Sequence, residues 1–469
     1  MPATRPNIVF FFTDDQRFDT IAALGNTVVQ TPHMDRLVRS GVAFTQAHIP
    51  CGTSGAVCMP SRAMLHSGRT LFHLQGAGES IPEAHTTLGE ALRGAGYRTF
   101  GVGKWHNGPA SYQRSFGAGD DIFFGGMADH WNVPVCPYDP TGRYEYRAAY
   151  VESFMTDNAV RYRLCEHVHP GRHSSELIAD AGLAFLEQAD AAQPFFMYLS
   201  FLAPHDPRTM PREFLEHYAP DRLELPPNFA AEHPFDTGAL RIRDELLASL
   251  PRQPAEVRRH LAEYYGMISH LDANIGRVLA ALDARGLTEN TLFILAGDNG
   301  LALGQHGLMG KQNCYDHSVR VPLVFAGPGL PRGVRSEAFA YLFDIFPTLC
   351  ELTGTPIPAS VEGTSLVPAL RCPQEPLRDT LYFAYTDTQR AVKDREFKLI
   401  EYVIQGRRTM TQLFCLATDP WERCNLAGDP AHAGTVARLR QELYRWREAW
   451  DDEASPWGQT YWQGYGQPS

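Results

Sequence analysis

Five apolar runs of strand length constrain this chain more than any other feature, because four of them stop at polar or ionisable side chains. Ile8-Val9-Phe10-Phe11-Phe12 stops at Asp14-Asp15, and Tyr97 to Val102 stops at Lys104-Trp105-His106. Pro194 to Phe201 leads to His205-Asp206, Thr291 to Ala296 leads to Asp298-Asn299, and Val321 to Ala326 ends in Gly-Pro-Gly. Near-continuous apolar runs this short suit parallel strands buried on both faces. Helical patterning fills the intervals. Thr31 is placed to cap a helix with Pro32 in its first turn, and Leu88 to Ala95 closes at Gly94 and Gly96. Ser174 to Gln188 and Ala255 to Arg285 carry apolar residues at helical spacing, on which Arg252, Arg258, Arg259 and Arg277 read as solvated faces. Alternation of strand and helix predicts an α/β fold with a mostly parallel sheet flanked by helices. Ligands in such folds bind beyond the carboxyl ends of the strands, so the four polar termini are expected to converge.

Residues 107–172, rich in Tyr, Trp, His and Gly, read as a loop excursion over one face. From about residue 376 the pattern changes. Tyr382 to Tyr385, Arg390 to Val403 and Thr411 to Leu416 read as antiparallel strands, and a helix is expected from Thr435, as its cap, to Asp451. The expected organisation is an α/β domain over 1–375 and a smaller α+β subdomain with an antiparallel sheet over 376–469.

Lys and Arg number 42 against 53 Asp and Glu, a net charge of −11, which argues against nucleic acid or an anionic membrane as partner. A small anionic substrate in a locally positive cleft remains compatible with it. Met1 to Pro6 passes at once into the first strand, without the longer apolar stretch and cleavage site of a signal peptide. A cytoplasmic location is therefore expected, or export if the sequence has been trimmed of a leader. Nine scattered Cys, an odd number without a CxxC pattern, form neither a disulfide framework nor a zinc knuckle.

One of them sits in a structured context: Cys58-Met59-Pro60-Ser61-Arg62-Ala63-Met64-Leu65-His66-Ser67-Gly68-Arg69. Pro60 fits the first turn of a helix and Met64-Leu65 give it an apolar face. Cys58 would stand at the helix N-terminus, where the dipole favours anions and a thiolate is stabilised and accessible. The alternative is a buried free Cys. Asp14, Asp15, Asp298 and Asn299 bring oxygen donors to two strand ends. Clustered carboxylates need a cation or a proton, and hard oxygen ligands suit Ca²⁺ or Mg²⁺ rather than Zn²⁺. Read singly, each pair also suits a turn. Lys104 and Lys311 could meet a tetrahedral anion, Lys311 from a loop over 304–310 that reads as flexible. His106 and His205 could move protons.

In this order the motifs resemble the type I sulfatases of the alkaline phosphatase superfamily. The Cys58-x-Pro60-Ser61-Arg62 run with Leu65 and Gly68-Arg69 is similar to the sulfatase signature, with Ser67 where Thr is frequent. Asn7 to Asp15, Gly101 to His106, Gly297 to Gly300 with Lys311 and Arg320-Val321-Pro322, and Asp419 to Leu426 resemble further family segments. The resemblance implies an alkaline-phosphatase-like fold and conversion of Cys58 to formylglycine by a maturation enzyme. One hydroxyl of the aldehyde hydrate attacks sulfur and the other later expels sulfate. It implies Ca²⁺, ahead of Mg²⁺ or Mn²⁺, held by Asp14, Asp15, Asp298 and Asn299 with residue 58 close by. It assigns proton transfer from the nucleophile to Asp298, support of the hydrate to Arg62 and His106, sulfate oxygens to Lys104 and Lys311, and protonation of the leaving oxygen to His205. The substrate expected is a small anionic sulfate ester, on a saccharide or an aryl alcohol. A phosphonate monoester or phosphodiester hydrolase with the same nucleophile is the nearest rival, and a non-catalytic anion- or glycan-binding protein the more distant one. Asn107, His130, Trp131 and Arg208 are expected near the mouth, Trp131 to stack on a ring and Arg208 to meet a second anionic group. The alternative for each is local packing or surface solvation.

Overall fold

The computed structural model describes residues 5–151, 159–190 and 193–466. Met1 to Thr4, on which the absence of a leader was read, and residues 152–158 of the expected excursion lie outside the described residues. The main sheet has eight strands in the spatial order 334–336, 41–44, 323–326, 291–297, 7–13, 195–200, 98–104 and 118–123. The four strands that end in polar residues are adjacent and mutually parallel. Their ends are level: Thr13 lies opposite Gly297, Phe12 opposite Ser200, and Gly103 opposite Ser200. The groups that follow each strand are therefore delivered to one edge.

Alternation along a strand explains why both faces are covered. Ile8, Phe10 and Phe12 join one buried cluster with Met64, Leu65, Leu92 and Phe346. Val9 and Phe11 join the other with Leu37, Ile178, Met267 and Leu271. The second face is roofed by the 31-residue helix Pro254–Ala284 together with Pro32–Ser40 and Ser174–Glu187. Among the described residues no helix is long and apolar enough to cross a membrane.

Several expectations change. The run ending in Gly-Pro-Gly forms Leu323–Ala326, which pairs antiparallel with both neighbours. Burial on both faces, not strand direction, produced its continuous apolar pattern. The 107–172 excursion contains the helix Pro109–Ser115, the edge strand Ala118–Phe123 of the main sheet and the hairpin Arg147–Val151/Val160–Leu164. Thr31 makes no side-chain cap; its Oγ1 accepts from Ala22 N and donates to Asp35. Arg252 is not a solvated helix residue. It is 2% exposed, precedes the long helix, and binds Glu245 at 2.5 Å and the Gly307 carbonyl at 3.0 Å.

The second sheet has the order 407–415, 397–404, 389–393, 381–385, 51–52. Its four C-terminal strands are antiparallel, and Cys51–Gly52 adds a fifth, parallel to Leu381–Tyr385. The expected single strand Arg390 to Val403 is two, because Asp394 Oδ1 accepts the N–H groups of Glu396 and Phe397 and turns the chain. The helix expected from Thr435 starts at Ala433. The Cys51–Gly52 strand stands just ahead of the Cys58–Ser67 helix, so this sheet braces the chain entering the site.

Candidate active site

The helix Cys58–Ser67 explains its own motif. Pro60 occupies the first turn, where a missing N–H costs nothing, and a side chain at Gly52 would meet its ring at 3.0 Å. Gly68 ends the helix at φ +67, a left-handed cap whose N–H reaches Met64 O. A Cβ there would stand 2.8 Å from Val361. Leu65 is buried in the core and Arg69 donates to Ser360 O. Arg62 points inward, over the Phe12 ring at 4.9 Å. Its Nε donates to Asp298 Oδ2 at 2.9 Å, and its Nη1 to Ser200 Oγ at 2.6 Å and Lys104 O at 3.1 Å.

The four strand ends meet around Cys58. Lys104 Nζ lies 2.5 Å from Asp14 Oδ2 and 3.4 Å from Cys58 Sγ. His106 Nδ1 lies 3.5 Å from the same sulfur. Lys311 Nζ donates to Asp15 Oδ1 at 2.5 Å, and Asn299 Nδ2 to the same oxygen at 2.6 Å. His205 Nδ1 faces the Asp206 carbonyl at 2.7 Å, which fixes it as the donor and leaves Nε2 3.7 Å from Asp15 Oδ2. Asp15 and His106 both hold positive φ, +64 and +60, a conformation that side chains adopt at a cost and that clusters at functional sites.

Electrostatics sort these groups. Burial opposes ionisation of Asp14, but Lys104, His205, Arg62 and Lys311 override it and hold the carboxyl far below the ordinary range. Burial and the neighbouring Asp14 push Asp298 up to about 7. Burial works against the charge on both lysines, yet Asp14 raises Lys104 and Asp15 raises Lys311 well above the usual value. Burial, then Lys104 and Arg62, drive His106 well below the usual imidazole range. Cys58 departs from expectation. It is 2% exposed, and burial raises its thiol in spite of both lysines. Its own burial thus outweighs the helix terminus, and it is no accessible thiolate.

The donor set fits a hard cation. Three carboxylates and an amide oxygen crowd together, and Asp14 Oδ1 and Asn299 Oδ1 are buried without a hydrogen-bond partner. Asp14, Asp298 and Cys58 bring one atom each within 4.8 Å of one another, as do Asp14, Asp15 and His205. Three acids against Arg62, Lys104 and Lys311 leave the cluster neutral, so a divalent ion would make it positive towards an anionic ligand.

Cys58, His106, His205 and Lys311 open on a cleft of about 260 Å³ whose rim carries Arg243 and Asp244. A larger hollow of about 640 Å³, lined by Arg17, Tyr265, Arg320 and Trp421, holds none of these groups. The four residues expected at the mouth do not line the cleft. Asn107 is fully buried and clamps the helix start, donating to Met59 O at 3.0 Å and Gly78 O at 2.6 Å. Arg208 is 9% exposed, 3.1 Å from His260, facing the Tyr264 ring. Trp131 packs edge-on against His173. His130 is buried between Ser174 Oγ at 2.7 Å and the His205 carbonyl at 2.9 Å. Loop position concealed these partners, since each is remote in sequence. The loop before Lys311 is also pinned, with Met309 N and Gly310 N donating to Glu245 at 2.8 and 2.9 Å. Arg243 and Asp244 were missed because a short Arg-Asp-Glu stretch carries no signal distinguishing it from a solvated turn.

A family model described as Sulfatase matches residues 6–355. The chain belongs to the sulfatase family. A second model, N-sulphoglucosamine sulphohydrolase, C-terminal, matches residues 304–449. This sulfatase is 29% identical to the multifunctional alkaline phosphatase superfamily protein PehA of Trinickia caryophylli, over 95% of each chain. It is 24% identical to an N-acetylglucosamine-6-O-sulfatase of Bacteroides thetaiotaomicron, covering 96% of this chain and 87% of that one. The solved structure of a phosphonate monoester hydrolase of Agrobacterium radiobacter shares the fold, with a TM-score of 0.75, 23% identity and coverage of 95% and 96%. The family is one of sulfuric ester hydrolases, which makes the chain an enzyme of that class.

His130 gives a prediction of its own. It does not line the cleft itself but holds the backbone of His205, which does, so it positions that histidine. His130→Ala is expected to lower kcat by about 10- to 100-fold with little change in KM, because small misplacements at a reacting centre are costly. His130→Gln, which can restore the bond to the carbonyl, should recover most of it. A general loss of stability without this split would show that the residue only fills space.

Proposed function

We propose that this sulfatase cleaves a sulfate monoester on a saccharide or aryl alcohol, using formylglycine at position 58 and one Ca²⁺ ion. The observation that carries the reading is the convergence of Lys104 and His106 on a buried Cys58, whose thiol burial pushes up, beside the carboxylate cluster. A thiol held neutral is a poor nucleophile, whereas a precursor of another group need not ionise in the mature site. Formylglycine, made by a separate maturation enzyme, supplies an aldehyde hydrate, one hydroxyl to attack sulfur and a second to release sulfate. Asp14, Asp15, Asp298 and Asn299 would hold Ca²⁺, in preference to Mg²⁺ or Mn²⁺, and the ion supplies charge neutralisation and a lowered nucleophile pKa.

The chain's own side chains account for the rest. Lys104 and Lys311 stay protonated and present charge to sulfate oxygens. Asp298, which lies beside position 58, takes the proton that leaves it. Neutral His106 faces position 58 and assists release of sulfate. His205 lines the cleft with Nδ1 donating to the Asp206 carbonyl, so as an imidazolium it carries on Nε2 the proton that goes to the leaving oxygen. Arg62 holds Asp298, and the Arg243 and Asp244 rim meets the part of the substrate beyond the sulfate.

Parallel assays on an aryl sulfate, monosaccharide sulfates and an aryl phosphonate monoester test the reading, with sulfate turnover expected to dominate. Dominant phosphonate turnover would favour the second reading, that of a phosphonate monoester hydrolase, a class whose Agrobacterium radiobacter member shares the fold. Removal of divalent ions should abolish turnover and lower the midpoint of thermal unfolding. Ca²⁺ should restore both, since an ion bound at a hundred times its Kd stabilises by about 2.7 kcal/mol. Turnover and midpoint unchanged after complete chelation would exclude the metal role.

A further inference from the structure

We propose a second metal site, for a borderline divalent transition ion such as Zn²⁺, formed by Asp121, His167 and His169. The three side chains converge outside the catalytic cluster. His169 Nε2 lies 2.9 Å from Asp121 Oδ1, His167 Nε2 lies 3.5 Å from the same oxygen, and the two nitrogens are 3.1 Å apart. Bonds of ~2.0–2.1 Å in tetrahedral geometry put neighbouring ligand atoms roughly 3.3 Å apart, and these three separations bracket that spacing.

Hydrogen bonding alone accounts poorly for the cluster. A single proton on His169 Nε2 would have to be shared between Asp121 at 2.9 Å and His167 at 3.1 Å. A proton on His167 Nε2 directed at His169 leaves a lone pair of His169 facing the carboxylate at 2.9 Å. One divalent cation at the centre resolves all three contacts. Two imidazoles disfavour Ca²⁺ and Mg²⁺ and suit Zn²⁺, which would complete its shell with water because both rings are more than a third exposed.

The backbone prepares the site. Asp121 and Ile122 lie on the edge strand Ala118–Phe123, where Ile122 exchanges both hydrogen bonds with Cys136. The next residue, Val135, pairs with His167. The ligands thus come from two segments zipped to a third. The ion would clamp the stretch that carries Met127 on the cleft wall and His130 behind His205.

The test uses the full chain saturated with Ca²⁺ and titrated with Co²⁺ as a spectroscopic probe. One equivalent should bind at micromolar concentration with the strong visible absorption of four-coordinate Co²⁺, and Zn²⁺ should displace it. H167A/H169A should weaken uptake by at least about 100-fold with the circular dichroism spectrum unchanged. H169Q alone, which removes one ligand with a smaller change of shape, should weaken it in the same direction. Asp14→Asn, in the catalytic cluster, should leave uptake intact. Absence of stoichiometric uptake, uptake that survives H167A/H169A, or uptake lost in Asp14→Asn would each overturn the proposal.

Discussion

Replacing Cys58 by Ala is expected to lower sulfate-ester turnover by at least about 10⁴-fold, the scale seen when a covalent nucleophile is removed, with the fold unchanged. The two effects separate because they rest on different contacts. Structurally, Cys58 contributes one sulfur at the start of a helix whose hold on the core comes from Ala63, Met64 and Leu65. Losing it leaves a gap of about one heavy atom, worth about 1 kcal/mol. Chemically, position 58 is the point in the cleft on which Lys104 and His106 converge. Cys58→Ser should be as inactive when the enzyme is produced with a maturation enzyme that acts on Cys. Peptide mass measurement across residue 58 should find an aldehyde in active enzyme. Active enzyme carrying only the thiol, or an alanine variant with normal turnover, would remove formylglycine from the mechanism.

Much of this site was legible in the sequence, for a physical reason. A parallel sheet buried on both faces writes its central strands as apolar runs, and the first polar residue after each run marks the edge where ligands bind. Asp14, Asp15, Lys104, His106, His205, Asp298 and Asn299 were found this way, and the level register of the strands brings them together. Cys58 was singled out from a helix start with a fixed motif, and Arg62 from the resemblance that this motif carries. The failures share a different cause. Asn107 and Arg208 were expected at the mouth and Arg252 on a solvated face, because polar residues are usually exposed, but each is buried against partners far along the chain. The antiparallel direction of Leu323–Ala326 was equally invisible, since its pattern records burial alone. The aromatic and His-rich excursion hid the edge strand and the Asp121, His167 and His169 cluster because its elements are short and their partners non-local.

Arg62→Met is expected to destabilise the fold by about 3–5 kcal/mol, the cost of leaving one half of a buried ion pair uncompensated. Met matches much of the length and could keep contact with Phe12, so cavity formation contributes little. The loss falls on polar partners: Asp298 Oδ2, Ser200 Oγ and Lys104 O each lose a donor at 2.6–3.1 Å. The sign of the Ca²⁺ effect separates this account from a simple packing defect. In the native site Arg62, Lys104 and Lys311 balance Asp14, Asp15 and Asp298. Without Arg62 the acids are in excess by one charge, so a divalent cation is drawn in more strongly and replaces part of the missing compensation. Saturating Ca²⁺ should therefore stabilise the variant by more than it stabilises the native protein, measured by denaturant unfolding with and without the ion. Turnover should stay low even when stability recovers, because Asp298 is then no longer held by a guanidinium. Equal stabilisation of the two proteins by Ca²⁺, or a loss below about 1 kcal/mol, would show that Arg62 does not act as the counter-charge of the carboxylate cluster.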